Sequence, residues 1–88
     1  MSQIGGKGTG KGELTGPIMI TADDEDNVFV TEQTNDRVSV FTHQGIYLTS
    51  FGTKGSEAQQ FSHPHGIIVD KSGMVYVCDY HNNRVQIF

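Results

Sequence analysis

Eighty-eight residues suffice for one small domain, whose stability is marginal unless something extends its core. Six basic residues against ten acidic ones give a net charge of −4, opposing the positive footprint of a nucleic-acid binder. One cysteine, Cys78, excludes an internal disulfide and fits a reducing, cytoplasmic setting; no run is long enough for a membrane-spanning helix, and no secretory signal pattern opens the chain.

In chain order, residues 5–12 come first as Gly-Gly-Lys-Gly-Thr-Gly-Lys-Gly. The likeness to a phosphate-cradling loop is superficial, because strand-to-helix context and the Gly-Lys-Ser/Thr ending are both absent. A flexible connector is expected there. Strands are then predicted over Ile18–Ala22, Val28–Glu32, Val38–Phe41 and Tyr47–Phe51, all rich in β-branched and aromatic residues. Turn chemistry separates them at 23–27, 34–36 and 43–45. The acidic run Asp23-Asp24-Glu25-Asp26 lacks the alternating acceptors, central glycine and final glutamate of an EF-hand loop, so it reads as a solvated hairpin turn. Three more strands are predicted over Ile67–Val69, Val75–Asp79 and Val85–Phe88, with turns at 70–73 and 81–83. No helix-length segment of 3.6-residue periodicity intervenes, which argues against parallel βαβ packing.

The chain repeats itself. Shifted by 47 positions, residues 1–41 align without a gap on residues 48–88. Identical pairs include Gly5/Gly52, Lys7/Lys54, Gly8/Gly55, Pro17/Pro64, Ile20/Ile67, Asp23/Asp70, Val30/Val77, Asn35/Asn82, Arg37/Arg84 and Phe41/Phe88. Glycine, proline, charge and apolar positions rarely coincide by chance over such a span. Runs such as Val28-Phe29-Val30 put apolar groups on both sheet faces, so both faces need cover. A β-propeller meets that need with near-identical consecutive sheets, and known blade periods of about 40–45 residues lie just below this one. The expected fold is all-β: two four-stranded antiparallel meander blades forming an incomplete ring. Residues 1–47 would make the first blade with a preceding outer-strand remnant. Residues 48–88 would make the second, preceded by the outer strand of the first.

These residues resemble the NHL repeat. The second unit carries the likeness through Phe61-Ser62-His63-Pro64-His65-Gly66-Ile67-Ile68-Val69-Asp70, Gly73 to Asp79, and Asn82-Asn83-Arg84-Val85-Gln86-Ile87-Phe88. The first unit follows more loosely from Leu14 and Pro17 through Val38. The histidine behind the family's middle letter is Asp36 in one unit and Asn83 in the other. The resemblance implies a six-bladed ring, of which two blades are one third. The ring would be completed by further blades of a longer parent, the chain being a fragment, or by self-association, three copies making six blades.

Meander geometry puts the turns 33–36 and 80–83 with the loop 53–63 on one face, and the turns 23–27, 43–45 and 70–73 on the other. The first face is the expected partner-binding surface, since loops on rigid strands commonly carry function. Its anchors are Tyr80 and His81, with Gln33, Thr34 and Asn83 beside them. Arg37 and Arg84 share one repeat position and have Asp23, Asp70, Glu32 and Asp79 as available partners. Repeated arginines among repeated carboxylates suggest bidentate pairs that lock blade to blade.

The resemblance further implies a non-catalytic, protein-binding role like that of the propellers of TRIM-NHL ubiquitin ligases, in which other domains perform the chemistry. An RNA-binding propeller is a second reading, disfavoured by the acidic balance. A fragment of a peptide-amidating lyase is a third. There Pro64-His65-Gly66 resembles a segment supplying a zinc-binding histidine, but Ile18 holds the equivalent place in the first unit. No cofactor and no metal are expected, His65 being the one weak candidate ligand.

Overall fold

The computed structural model describes residues 3–88. Part of the outer-strand remnant expected over residues 1–5 therefore lies outside the described residues. Nine strands form, and no α-helix is present among the described residues. The first sheet joins β1 (Pro17–Ala22), β2 (Val28–Glu32), β3 (Arg37–Phe41) and β4 (Tyr47–Phe51) as a consecutive antiparallel meander. Between the units, β5 (Thr53–Lys54) and β6 (Gln60–Phe61) form a short parallel pair. The second sheet joins β7 (Pro64–Val69), β8 (Val75–Asp79) and β9 (Arg84–Ile87), again antiparallel and consecutive.

Two expectations need correction. Among the described residues the second sheet has three strands rather than four, Phe88 closing the β8–β9 ladder through reciprocal hydrogen bonds with Val75. The glycine-rich connectors are also ordered rather than flexible. Lys54 pairs with Phe61, and Lys7 forms a matching parallel bridge to Leu14. Gly5 and Gly52 make this possible with φ of +83° and +99°. A Cβ at either would run into Leu14 or Phe61 respectively, so glycine is required twice for the same reason.

Strand boundaries extend slightly beyond the predicted ones. β1 and β7 begin at Pro17 and Pro64, which pair with Glu32 and Asp79 before the register slips. Proline is tolerated at the first position of a strand, and the slip leaves its missing N–H outside the ladder. The hairpin turns are closed by aspartate. Asp23 Oδ1 accepts from the N–H groups of Glu25 and Asn27, and Asp70 Oδ1 from those of Ser72 and Met74, each at 2.9 Å.

The main core lies between the sheets. Val38 from β3 packs with Phe61 from the connector and with Ile67, Val75 and Val77 from the second sheet. Phe29, Phe51, Val69 and Phe88 close around them, the Phe88 ring 4.7 Å from Phe51 and 5.7 Å from Phe61. β7 lies against both β1 and β2. Two hydrogen bonds cross this seam: Thr31 Oγ1 donates to the His65 carbonyl at 2.7 Å, and the His63 N–H to Asp36 Oδ1 at 2.9 Å.

Candidate binding face

A buried carboxylate in each unit organises the loops that surround the binding face. Glu32 ends β2 and Asp79 ends β8, and both are fully buried. Arg37 Nε donates to Glu32 at 2.7 Å and Arg84 Nε to Asp79 at 2.8 Å. Arg37 also donates to the carbonyls of Thr9, Gly10 and Glu13, as Arg84 does to those of Ser56, Glu57 and Gln60. Asn35 bridges Glu32 to the Gly8 carbonyl, and Asn82 bridges Asp79 to that of Gly55. The N–H groups of Thr15 and Ser62 complete the two sets. Each of these bonds recurs 47 residues later. The same framework is therefore built twice from the same positions.

Where the units differ, they compensate. Glu32 takes a hydrogen bond from the short Ser39 side chain, whereas Asp79 takes one at 3.3 Å from the long Gln86 side chain at the equivalent position. A longer acid with a shorter partner spans the same gap as a shorter acid with a longer one. Arg37 reaches both oxygens of Glu32, but Arg84 reaches only Oδ2 of Asp79. Burial pushes the Asp79 carboxyl up, yet the Ser62 N–H, the Asn82 amide and the Arg84 guanidinium together hold it below the usual carboxylate value.

The structure thus separates the predicted arginine partners. Arg37 and Arg84 meet Glu32 and Asp79 but neither Asp23 nor Asp70, which are occupied in hairpin turns at the opposite face. The Asp70 carboxyl lies below its ordinary value through donation by the Ser72 hydroxyl and the Met74 N–H, and the hydrogen-bonded Tyr76 hydroxyl is raised in turn. In Asp23, burial pushes upward but bonds from Asn27 and Glu25 outweigh it. The arginines also reach connector carbonyls rather than the neighbouring sheet, because each connector lies across the end of its own blade.

Above this framework, the loops of the predicted face converge. The Gln33 N–H donates to the Gly16 carbonyl, and the His81 N–H to that of Ser62. Tyr80 to Asn82 form one 3₁₀ turn ended by Asn83 in a left-handed conformation. Tyr80, His81 and Asn83 are exposed, as is Thr34, while Gln33 is half-buried. The ring of His81 stacks on His63 with centroids 4.0 Å apart, and Tyr80 touches both His81 at 5.3 Å and His65 at 5.9 Å. Four rings thus form one continuous patch.

His63 was not singled out for this face by its sequence, although a signal existed. It occupies the repeat position of Gly16, and both adopt the left-handed backbone, φ +65° at the glycine and +56° at the histidine. A side chain placed at Gly16 would collide with Thr34, whose counterpart His81 instead stacks on His63. Histidine at a glycine position accepts backbone strain, and such outliers gather at functional sites. Its Nδ1 is buried without a hydrogen-bond partner. Among the described residues, no three histidine, cysteine or acidic side chains come together to hold a metal, and the His65 ring pairs with that of Tyr80. Cys78 is exposed while its neighbour Asp79 is buried, as alternation along a strand requires.

Residues 61–88 match the NHL repeat family. That stretch holds most of the second unit, which is thus similar to an NHL repeat. The first unit carries the same recurring hydrogen-bond set. The chain is 49% identical over 53 residues to Protein wech of Drosophila melanogaster, covering 60% of this chain and 6% of that protein. It is 41% identical over 44 residues to the E3 ubiquitin-protein ligase TRIM71 of Rattus norvegicus, covering 50% and 5%. It is also 27% identical over 89 residues to the human NHL repeat-containing protein 3, covering 96% and 26%. The chain thus spans a small part of each relative. No helix among the described residues is long and apolar enough to cross a membrane.

Proposed function

We propose that the chain is a non-catalytic segment of a partner-recognition propeller, contacting a protein through the face formed by residues 33–36, 62–65 and 80–83. The observation that carries this reading is the ring patch of His63, His65, Tyr80 and His81, with Tyr80 62% exposed. The patch rests on the buried carboxylate framework, so little conformational freedom remains to be lost when a partner docks. Tyrosine in such a setting is a frequent interface anchor.

Similarity to wech and to the ligase TRIM71 supports an interaction role, and at 5% of TRIM71 the matched portion leaves ligase chemistry to other parts of a parent protein. A protein partner suits the charge better than RNA does. Two of the six cationic side chains, Arg37 and Arg84, are already held by carboxylates. The free, exposed thiol of Cys78 supports our reading of a reducing, cytoplasmic setting.

Affinity capture by the chain, its Tyr80→Ala/His81→Ala variant and a Lys71→Ala control from the opposite face tests the reading. Proteins retained by the native chain and the control should be lost from the double variant. Capture indifferent to the double substitution would overturn the assignment of the face. Binding of single-stranded RNA that weakens steeply with salt would replace the protein reading with the nucleic-acid one.

A further inference from the structure

We propose that the ring stack of His63 on His81 is a pH-sensitive latch on the binding face, closed while either ring is neutral and opened when both carry a proton. The inference rests on the reading of this face as a recognition surface and supplies its regulation. Three observations meet at one point: a strained backbone, a buried nitrogen without a partner, and two titratable rings in contact.

His63 holds a φ of +56° at the repeat position of Gly16. A histidine is strained there, and such a conformation persists only where neighbouring contacts over-determine it. The His63 N–H donates to Asp36 Oδ1 at 2.9 Å and the Ser62 N–H to Asp79 Oδ1 at 2.7 Å. The His81 N–H donates to the Ser62 carbonyl at 3.1 Å, and the His81 ring lies 4.0 Å from that of His63. These last two contacts tie the connector to the 3₁₀ turn that carries Tyr80. Of the four, the ring stack is the contact whose charge changes near neutral pH.

Charge acts differently on the two rings. His81 is exposed, so a proton on it is solvated where the ring stands and meets no like charge while His63 stays neutral. The Nδ1 of His63 is buried and has no hydrogen-bond partner among the described residues. In a protonated ring both nitrogens donate. That N–H would then face no acceptor, and two cations would oppose one another across 4.0 Å. Moving the ring out removes both penalties and lets the left-handed backbone relax. The neighbouring charges do not hold it in. Asp36, from the turn between β2 and β3, accepts the backbone N–H and makes no bond to Nδ1. Asp79, ending β8, is engaged by Arg84, Asn82 and the Ser62 N–H. His65 from β7, whose ring pairs with Tyr80, adds positive charge rather than a counter-ion. Opening therefore swings the Tyr80–Asn82 turn away from the connector and disperses the ring patch.

Nuclear magnetic resonance of the full chain, titrated from about pH 7.5 to about pH 4.5, tests the latch across the range in which histidine changes charge. The through-space contact between the His63 and His81 rings should be present at the upper end and lost at the lower. The protection of the His81 amide, corrected for the intrinsic pH dependence of exchange, should fall several-fold, while buried Val77 in β8 keeps its own. His81→Phe keeps a stacking ring without its charge and should remain closed throughout. His63→Gly, carrying the residue of the first unit at this position, should show no pH response at the His81 amide. A ring contact that persists over the whole range, a loss shared equally by Val77, or a pH response retained in a folded His81→Phe would each overturn the proposal. If circular dichroism shows His81→Phe unfolded, a pH response retained in His63→Gly overturns it instead. None of these readouts needs a partner. Capture indifferent to Tyr80→Ala/His81→Ala thus removes the recognition reading alone, and a stack that never opens removes the latch alone.

Discussion

Arg84 shows how one side chain holds a loop through its backbone carbonyls. It donates to buried Asp79 and to the carbonyls of Ser56, Glu57 and Gln60, so its removal leaves an unpaired carboxylate and frees the connector. Arg84→Ala is expected to lower stability by about 1–3 kcal/mol in denaturant melts. Arg84→Lys should recover only part, because an ammonium cannot reproduce the planar fork of donors. The acid limb has a definite sign. The folded Asp79 carboxyl lies below the unfolded value of about 3.9. Its stabilisation is complete above that unfolded value and is lost as pH falls through the lower folded one. Melting experiments at falling pH should show this loss below about pH 4, and Asp79→Asn should flatten it. At this scale the sequence offered the arginines four acids as partners and could not choose among them. Asp23 and Asp70 are repeated as faithfully as Glu32 and Asp79, and only the closure of the hairpins commits them elsewhere.

The connectors show what an element requires beyond its composition. Many glycines suggested flexibility, yet specific ones are needed for close approach. At Gly52, φ is +99° and an added Cβ meets the Phe61 ring; at Gly73, φ is +89° with open space; at Gly6 nothing lies within 4 Å. Thermal melts should therefore rank Gly52→Ala as most damaging and Gly73→Ala as intermediate, with the latter near 1 kcal/mol from backbone strain. Gly6→Ala should be nearly neutral. An equal effect at Gly6 and Gly52 would show that the connector is loose in solution. The strands were legible because β-branched runs bounded by turn residues report their own conformation. The parallel β5–β6 pair was not legible, since two residues on each side leave no periodicity to read.

Across the whole molecule, the two sheets share one core, with Phe61 fully buried between them. Phe61→Ala should cost about 3–5 kcal/mol and lower the protection of amide hydrogens in both sheets together. Loss confined to the second sheet would mean that the blades fold separately. Nearest-neighbour coupling of this kind is how repeat proteins acquire stability that no single unit possesses. The ring patch also belongs to this scale. Tyr80 and His81 are adjacent in sequence and were legible as an exposed turn, whereas His63 joins them only because the connector brings the two loops together.

The 47-residue recurrence and the two-sided apolar strands determined that this protein is built of stacked β-sheets. Both are properties of local spacing, which survives in the linear order of residues. Tertiary structure alone decided which carboxylates face the arginines, which glycines are indispensable and which rings meet on one surface. Those outcomes depend on distances between segments far apart along the chain, set when Phe61 and Val38 bury one another and draw the connector across the end of its blade.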